Sequence, residues 1–240
     1  STPFPRGYLC DETVKTFPTP LWLKVLGMPS AVVLSGGPAK RMGCDKGLLT
    51  LAGKPLIWHV CSKVSDLVDE VLLVVSDQGQ AEAYTEALNG VEGDVRVLVD
   101  EMDVRSPLVG AVTGFRCSRG AYTLLTSSDM PLIPLEVYTF LLDLAEGHGA
   151  VAFRWPDGRV EPLPAVYRTV DALKVGEASI GRGDLRLRRL LTDMRGVLYV
   201  STRVLKTMDP EMLSLFDIDS AEDLRRAERI VRRHPRHLRA

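Results

Sequence analysis

The stretch AVVLSGGPAKRMGCDKGLLTLAGKPLI (31–57) decides the fold. Its apolar start, 31–34, breaks at Ser35, Gly36 and Gly37 into a basic loop with Lys40, Arg41 and Lys46, and apolar character resumes at Leu48. This is the pattern of a strand that feeds a loop suited to an anion of phosphate size. Glycines let backbone N–H groups approach an anion with no Cβ in the way, and Arg41 and Lys46 add mobile positive charge.

From this stretch to the C-terminus, apolar runs alternate with amphipathic ones. The runs at 31–34, 70–75, 95–99, 122–126, 150–153 and 197–200 predict strands. The patterns at 55–68, 80–88, 107–116, 134–146, 185–194 and 221–233 predict helices. Continuously apolar strands separated by helices predict an α/β fold with a doubly wound, mostly parallel sheet covered on both faces. The expected organisation is a single domain over 31–240, preceded by an extended arm over 1–30. That arm carries five prolines, with Phe4, Tyr8, Phe17, Leu21 and Trp22 giving it apolar surface to pack.

Composition narrows the class. A chain of 240 residues with 45% hydrophobic and 25% charged residues is globular rather than disordered or fibrous. A net charge of −1 offers no overall attraction to nucleic acid or to an anionic membrane. The run over 225–239 holds seven arginines against Glu228 alone, but without interleaved aromatics it reads as the solvated face of an amphipathic helix. Cys10, Cys44, Cys61 and Cys117 have no paired spacing and read as free thiols of a reducing cytosol. No apolar run approaches a membrane span, and no secretory leader is legible, so a cytoplasmic protein is expected.

In a doubly wound sheet, ligands bind beyond the carboxyl ends of the strands. Ser76 and Asp77 follow the second predicted strand, Asp100, Glu101 and Asp103 the third, and Ser127, Ser128, Asp129, Met130 and Pro131 the fourth. Carboxylates that converge where a basic loop holds phosphates suit Mg²⁺, a hard cation that bridges protein carboxylate and substrate phosphate. Near the end, Asp217-Ile218-Asp219 places two carboxylates on one side of an extended segment. Ser220 and Asp223 beside them also read as a helix start, so capping competes with metal binding there.

The opening loop is neither a Walker A sequence nor the dinucleotide fingerprint. Its pattern Leu34-Ser35-Gly36-Gly37-x-x-x-Arg41-Met42-Gly43-x-Asp45-Lys46 resembles the signature of nucleotidyltransferases, and specifically of molybdenum cofactor guanylyltransferases. The resemblance continues at Gly53-Lys54-Pro55, Ser106-Pro107-Leu108-Val109-Gly110, Ser128-Asp129-Met130-Pro131, 161–167 and 216–224. Two positions depart from it: Asp217-Ile218-Asp219 stands where the family has Asn-x-Asn, and Ser128 where a cysteine commonly precedes the aspartate.

The resemblance implies transfer of GMP from GTP to the phosphate of molybdopterin, with release of pyrophosphate and with Mg²⁺ as cofactor. It implies Arg41, Lys46 and Asp129 as catalytic residues. It places the nucleotide on Leu34, Ser35, Gly36, Gly37, Arg41, Lys46, Ser76, Asp100 and Asp129, and the metal on Asp129 with Asp217 or Asp219. Handover to molybdoenzyme maturation proteins follows from the same resemblance; nucleic acid and membrane are not expected partners. Another triphosphate or another phosphate acceptor is the alternative that Asp217-Ile218-Asp219 favours, and a nucleotide-binding regulator without turnover is the alternative of a different class. Lys54 is balanced between the phosphate pocket and a solvated turn. His59 reads as a packed side chain. Arg182, Arg186, Arg188 and Arg189 at helical spacing read first as a solvated face, with Arg182 in the Gly181-Arg182-Gly183 turn the one candidate for an acceptor phosphate.

Overall fold

The computed structural model describes residues 29–35, 45–100, 102 and 104–238. Expectations for the arm over 1–28, and for Gly36, Gly37, Lys40, Arg41, Cys44, Glu101 and Asp103, lie outside these residues. The strands are β1 (Ser30–Leu34), β2 (Thr50–Leu51), β3 (Lys54–Pro55), β4 (Glu70–Val75), β5 (Val95–Val99), β6 (Tyr122–Ser127), β7 (Ala150–Arg154), β8 (Val160–Arg168) and β9 (Val197–Ser201). The helices are α1 (Leu56–Ser65), α2 (Gln78–Ala87), α3 (Pro107–Cys117), α4 (Leu135–Asp143), α5 (Thr169–Gly181), α6 (Arg189–Asp193), α7 (Thr202–Met208) and α8 (Ala221–Arg233). Ser30, expected in the arm, is the first residue of the sheet, paired with Glu70 and Thr123.

Seven strands form one sheet in the order β5-β4-β1-β6-β8-β7-β9, and only β8 runs against the others. β1 and β4 are buried along their whole length, as central parallel strands must be. Alternation along β1 divides its side chains between two cores. Ala31 and Val33 join a core with α1, α2 and α4; Val32 and Leu34 join another with α3, α5 and α6. α3 lies close on β1, because a Cβ on Gly114 would stand 2.5 Å from Val32. A third cluster seats α8 on the β2–β3 hairpin through Leu51, Leu56, Leu132, Ile218, Ala227 and Val231.

β8 is the element that period and propensity do not disclose. Pro162 and Pro164 lie where its register against β7 shifts: Ala152 pairs with Ala165, but Phe153 pairs with Glu161. Proline lacks the N–H that a central ladder requires, and a bulge removes that requirement. Because β8 is antiparallel, its first residues arrive at the edge where the other six strands end. α5 and α7 are likewise helices beyond the predicted set, and α6 is shorter than the predicted 185–194.

Candidate active site

The chain moves from β1 outward to β4 and β5, then returns to β6 on the other side of β1. The strand order therefore reverses between β1 and β6, where doubly wound sheets open a ligand crevice. A cleft enclosing about 550 Å³ lies there, lined by Leu34, Ser35, Asp45, Lys46, Ser127, Ser128 and Asp129 from the switch point. Trp155, Arg159, Glu161 and Pro162 close it from the β7–β8 turn, and Asp217 from the segment before α8.

Each side chain is placed by backbone ties between the strand exits. Ser35 N–H donates to Val74 O at 2.9 Å, and Ser128 N–H donates to Leu34 O at 3.0 Å. Ile218 N–H donates to Asp129 O at 2.9 Å, which brings residues near the C-terminus to the end of β6. Lys46 begins a short 3-10 turn, Lys46–Leu48. Its Nζ donates to Asp219 Oδ1 and stands 3.9 Å from Asp129 Oδ2. Ser127 Oγ donates to Asp129 Oδ1 at 2.6 Å and orients that carboxylate.

Charge in the cleft is crowded. Burial pushes the Asp129 carboxyl above the usual range, and the Ser127 hydrogen bond and the Lys46 ammonium offset only part of this. Asp217 meets solvent at the cleft mouth. Even so, desolvation within the cleft, followed by the charges of Asp129, Asp219 and Glu161, pushes its carboxyl up to about 7. Burial acts to lower the Lys46 ammonium, but the hydrogen bond to Asp219 and the charges of Asp219, Asp129 and Asp217 leave it raised. Acids that resist ionisation beside a lysine that holds its proton mark a site short of positive charge.

Ser76 and Asp100 line a smaller recess that shares Leu34, Ser35 and Pro107 with the main cleft. Asp100 Oδ1 accepts from Thr113 Oγ1 at 3.0 Å and from Met102 N–H at 3.3 Å. Of the predicted site residues within the described chain, Leu34, Ser35, Lys46, Asp129 and Asp217 meet at the cleft. Asp219 joins them through Lys46, and Ser76 and Asp100 stand in the neighbouring recess. Among the described residues, no three histidine, cysteine or carboxylate side chains stand close enough to hold a metal together.

One expectation changes, and two further residues find their places. Arg182 is outside the cleft; its guanidinium pairs with Asp193 at 2.7 Å and with Ser179 Oγ at 3.2 Å. Tyr167, in the 161–167 stretch that carries part of the resemblance, is fully buried, and its hydroxyl braces the bulge by donating to Pro162 O at 2.9 Å. Lys54 lies over the Trp58 ring, 4.8 Å from its centroid, and does not line the cleft. His59 is packed as expected: its Nε2 is 2.8 Å from Leu51 O, and burial lowers its affinity for a second proton. Ser220 caps α8 by accepting from Asp223 N–H at 3.2 Å, so capping and the cleft draw on adjacent residues.

Sequence reasoning missed Trp155 and Arg159. The Arg159 guanidinium lies 4.9 Å from the Trp155 ring centroid, and Trp155 Nε1 donates to Glu161. Only the pairing of β7 with β8 reveals that this turn overlooks Asp129.

A doubly wound sheet with a lysine and clustered carboxylates at its switch point is the framework of a nucleotidyltransferase. The chain belongs to the MobA-like NTP transferase family, whose domain model matches residues 31–197. A probable molybdenum cofactor guanylyltransferase of Methanosarcina acetivorans is 32% identical over 198 residues, 81% of this chain and 88% of that one. A molybdenum cofactor guanylyltransferase of Pseudomonas putida is 34% identical over 164 residues, covering 65% and 82%. The crystal structure of molybdopterin-guanine dinucleotide biosynthesis protein A from Archaeoglobus fulgidus is similar over 85% of this chain and 99% of that one, with a TM-score of 0.70 and 27% identity. Among the described residues, no helix is long and apolar enough to cross a membrane.

Proposed function

We propose that this nucleotidyltransferase transfers GMP from GTP to the phosphate of molybdopterin and releases pyrophosphate. The observation that carries the reading is the pairing of Lys46 with Asp129 and Asp219 at the β1/β6 switch point, in a chain whose relatives bear that activity in their names. In this reaction an oxygen of the acceptor phosphate forms a bond to the α-phosphorus, and the bond to the β-phosphate oxygen breaks. The acceptor is already largely ionised near neutrality, with a second pKa of about 6, so no general base is required. Alignment of the two phosphates and neutralisation of charge supply the catalysis.

Lys46 is the described cation that would meet the triphosphate; Arg41 and the backbone of Gly36 and Gly37 would complete that contact. Asp100 and Ser76 would read the base, since a carboxylate accepts from the donor edge of guanine. Trp155 and Arg159 would wall the acceptor end, an aromatic face beside a cation.

The carboxylates fit a hard divalent cation. Asp129 and Asp217 are both held above their ordinary range by burial and by neighbouring charge, which a bound cation would relieve. Two carboxylates completed by substrate phosphate oxygens are the usual protein share of a Mg²⁺ site. Asp129 and Asp217 would hold Mg²⁺, and Asp219 would serve it in the alternative arrangement in which Lys46 turns to phosphate. The bound ion would supply charge neutralisation at the α-phosphate.

The test is pyrophosphate release with each of the four nucleoside triphosphates, with and without molybdopterin. Release that requires GTP and molybdopterin supports the reading; release with another triphosphate or another phosphate acceptor replaces it. No release with any acceptor, alongside retained nucleotide binding, supports a binding protein instead. Asp129→Ala is expected to lower kcat by at least about 10²-fold.

A further inference from the structure

Two residues that bracket the glycine-rich segment, Ser35 and Asp45, meet at one phenol. Tyr84 on α2 is fully buried. It accepts a hydrogen bond from Ser35 Oγ and donates to Asp45 Oδ1 at 2.7 Å. Each hydroxyl carries a single proton, so the chain has one direction. Tyr84 gives its proton to Asp45, Ser35 gives its own to Tyr84, and across the 2.9 Å contact with Ser35 the donor is therefore Ser128.

Gln80, one turn earlier on α2, holds the other carboxylate oxygen, donating from Nε2 to Asp45 Oδ2 at 2.7 Å. Its Oε1 accepts from Ser76 N–H at 2.8 Å. The exits of β6, β1 and β4 are thereby tied to Asp45, the residue before Lys46. Gly47 closes the packing: a Cβ there would stand 2.4 Å from the Tyr84 hydroxyl and 3.0 Å from Ser128 Oγ.

We propose that Tyr84 is a positioning residue for the nucleotide: its hydroxyl, with the Gln80 amide, fixes Ser35 and Asp45 relative to one another and so sets Lys46 against Asp129. The inference rests on the nucleotidyl-transfer reading of the site. Tyr84 touches neither substrate; it acts through Asp45 and Ser35. Burial and the Asp45 carboxylate hold its phenol well above the ordinary range, which keeps it a donor across the working pH. A ring that served only to fill the core would need no hydroxyl joined to both ends of the segment.

The experiment uses the full chain and Tyr84→Phe, which keeps the ring and removes one oxygen. GTP binding is measured by equilibrium dialysis without acceptor, and KM is measured for each substrate. The expected result is a rise of about tenfold in both the Kd and the KM for GTP, equivalent to about 1.4 kcal/mol. The KM for the acceptor should stay within twofold, with circular dichroism unchanged. Tyr84→Phe combined with Asp45→Asn should lose no more than the worse single variant, because both break the same link.

Gln80→Met, on the exposed side of the network, provides a second probe if Tyr84→Phe folds poorly; a rise of about threefold in the Kd for GTP is expected. Parental GTP affinity in both variants overturns the proposal. So does an equal rise in KM for both substrates, or additive losses in the double variant. A parent chain that binds no nucleoside triphosphate overturns the transfer reading and this inference with it. A parent that binds GTP while the variants match it overturns this inference alone.

Discussion

Gly47→Ala is the substitution on which the packing around Lys46 makes its sharpest demand. The added Cβ would lie 2.4 Å from the Tyr84 hydroxyl, 2.8 Å from its Cε1 and 3.0 Å from Ser128 Oγ. Ordinary contact begins at 3.4 Å, so something must move by about 1 Å. Tyr84 is fully buried and its hydroxyl is bonded on both sides, which leaves the backbone of Lys46 and Gly47 as the softer partner. Overpacking of this kind costs about 1–3 kcal/mol. In a domain of this size each kcal/mol lowers Tm by roughly 2–4 °C, so a fall of about 2–12 °C is expected by calorimetry. A displacement of about 1 Å at Lys46 should also reduce kcat/KM for GTP by as much as about 10²-fold. Adding Tyr84→Phe removes the closest contact and should restore part of the lost Tm, a non-additive pair. A Gly47→Ala chain with parental Tm and parental kcat/KM would refute the close packing on which this reasoning stands.

Other outcomes follow from the same geometry. Asp217→Asn should raise stability in chelator: its carboxyl, at about 7 folded against 3.8 ordinarily, makes the parent lose stability as pH rises between those values. The gain in the variant should therefore grow from about pH 4 to pH 7 and level off above, and a gain independent of pH would exclude this cause. Lys63→Met should cost about 2 kcal/mol in urea denaturation, because the buried ammonium donates to Pro131 O at 2.8 Å, to Ile133 O at 3.0 Å and to His237 O. The cost is less than three charged hydrogen bonds would suggest, since burial draws that ammonium down to about 7 and its removal recovers desolvation. Arg182→Ala should leave both KM values unchanged and move stability by less than about 1 kcal/mol, as expected of an exposed ion pair with Asp193.

β4 and β5 have the limits their apolar runs predict, and α8 begins at the Ser220 that its capping pattern marks. Such elements are legible because burial on both faces, or a stripe on one, writes itself into local period. β8 was not legible, since Pro162 and Pro164 argue against a strand until the register shift opposite β7 gives them a place without a ladder hydrogen bond. α5 and α7 follow strands so directly that their starts carry no separating loop to mark them. Trp155 and Arg159 belong to the cleft only because β8 is antiparallel, and Tyr84 to the Ser35–Asp45 link only because α2 packs against β4 and β5.

The sequence by itself determined the alternation of strands and helices and the chemical character of the strand exits: glycines and basic groups after one, carboxylates after others. These are local properties, carried by neighbours in the chain. Only the tertiary structure decided that Lys46 lies between Asp129 and Asp219, and that Asp217 is crowded by Asp129, Asp219 and Glu161. It alone decided that Arg182 pairs with Asp193 instead of facing the cleft. Distances between residues far apart in the chain are set by how sheet, bulge and helices pack, and no local pattern records them.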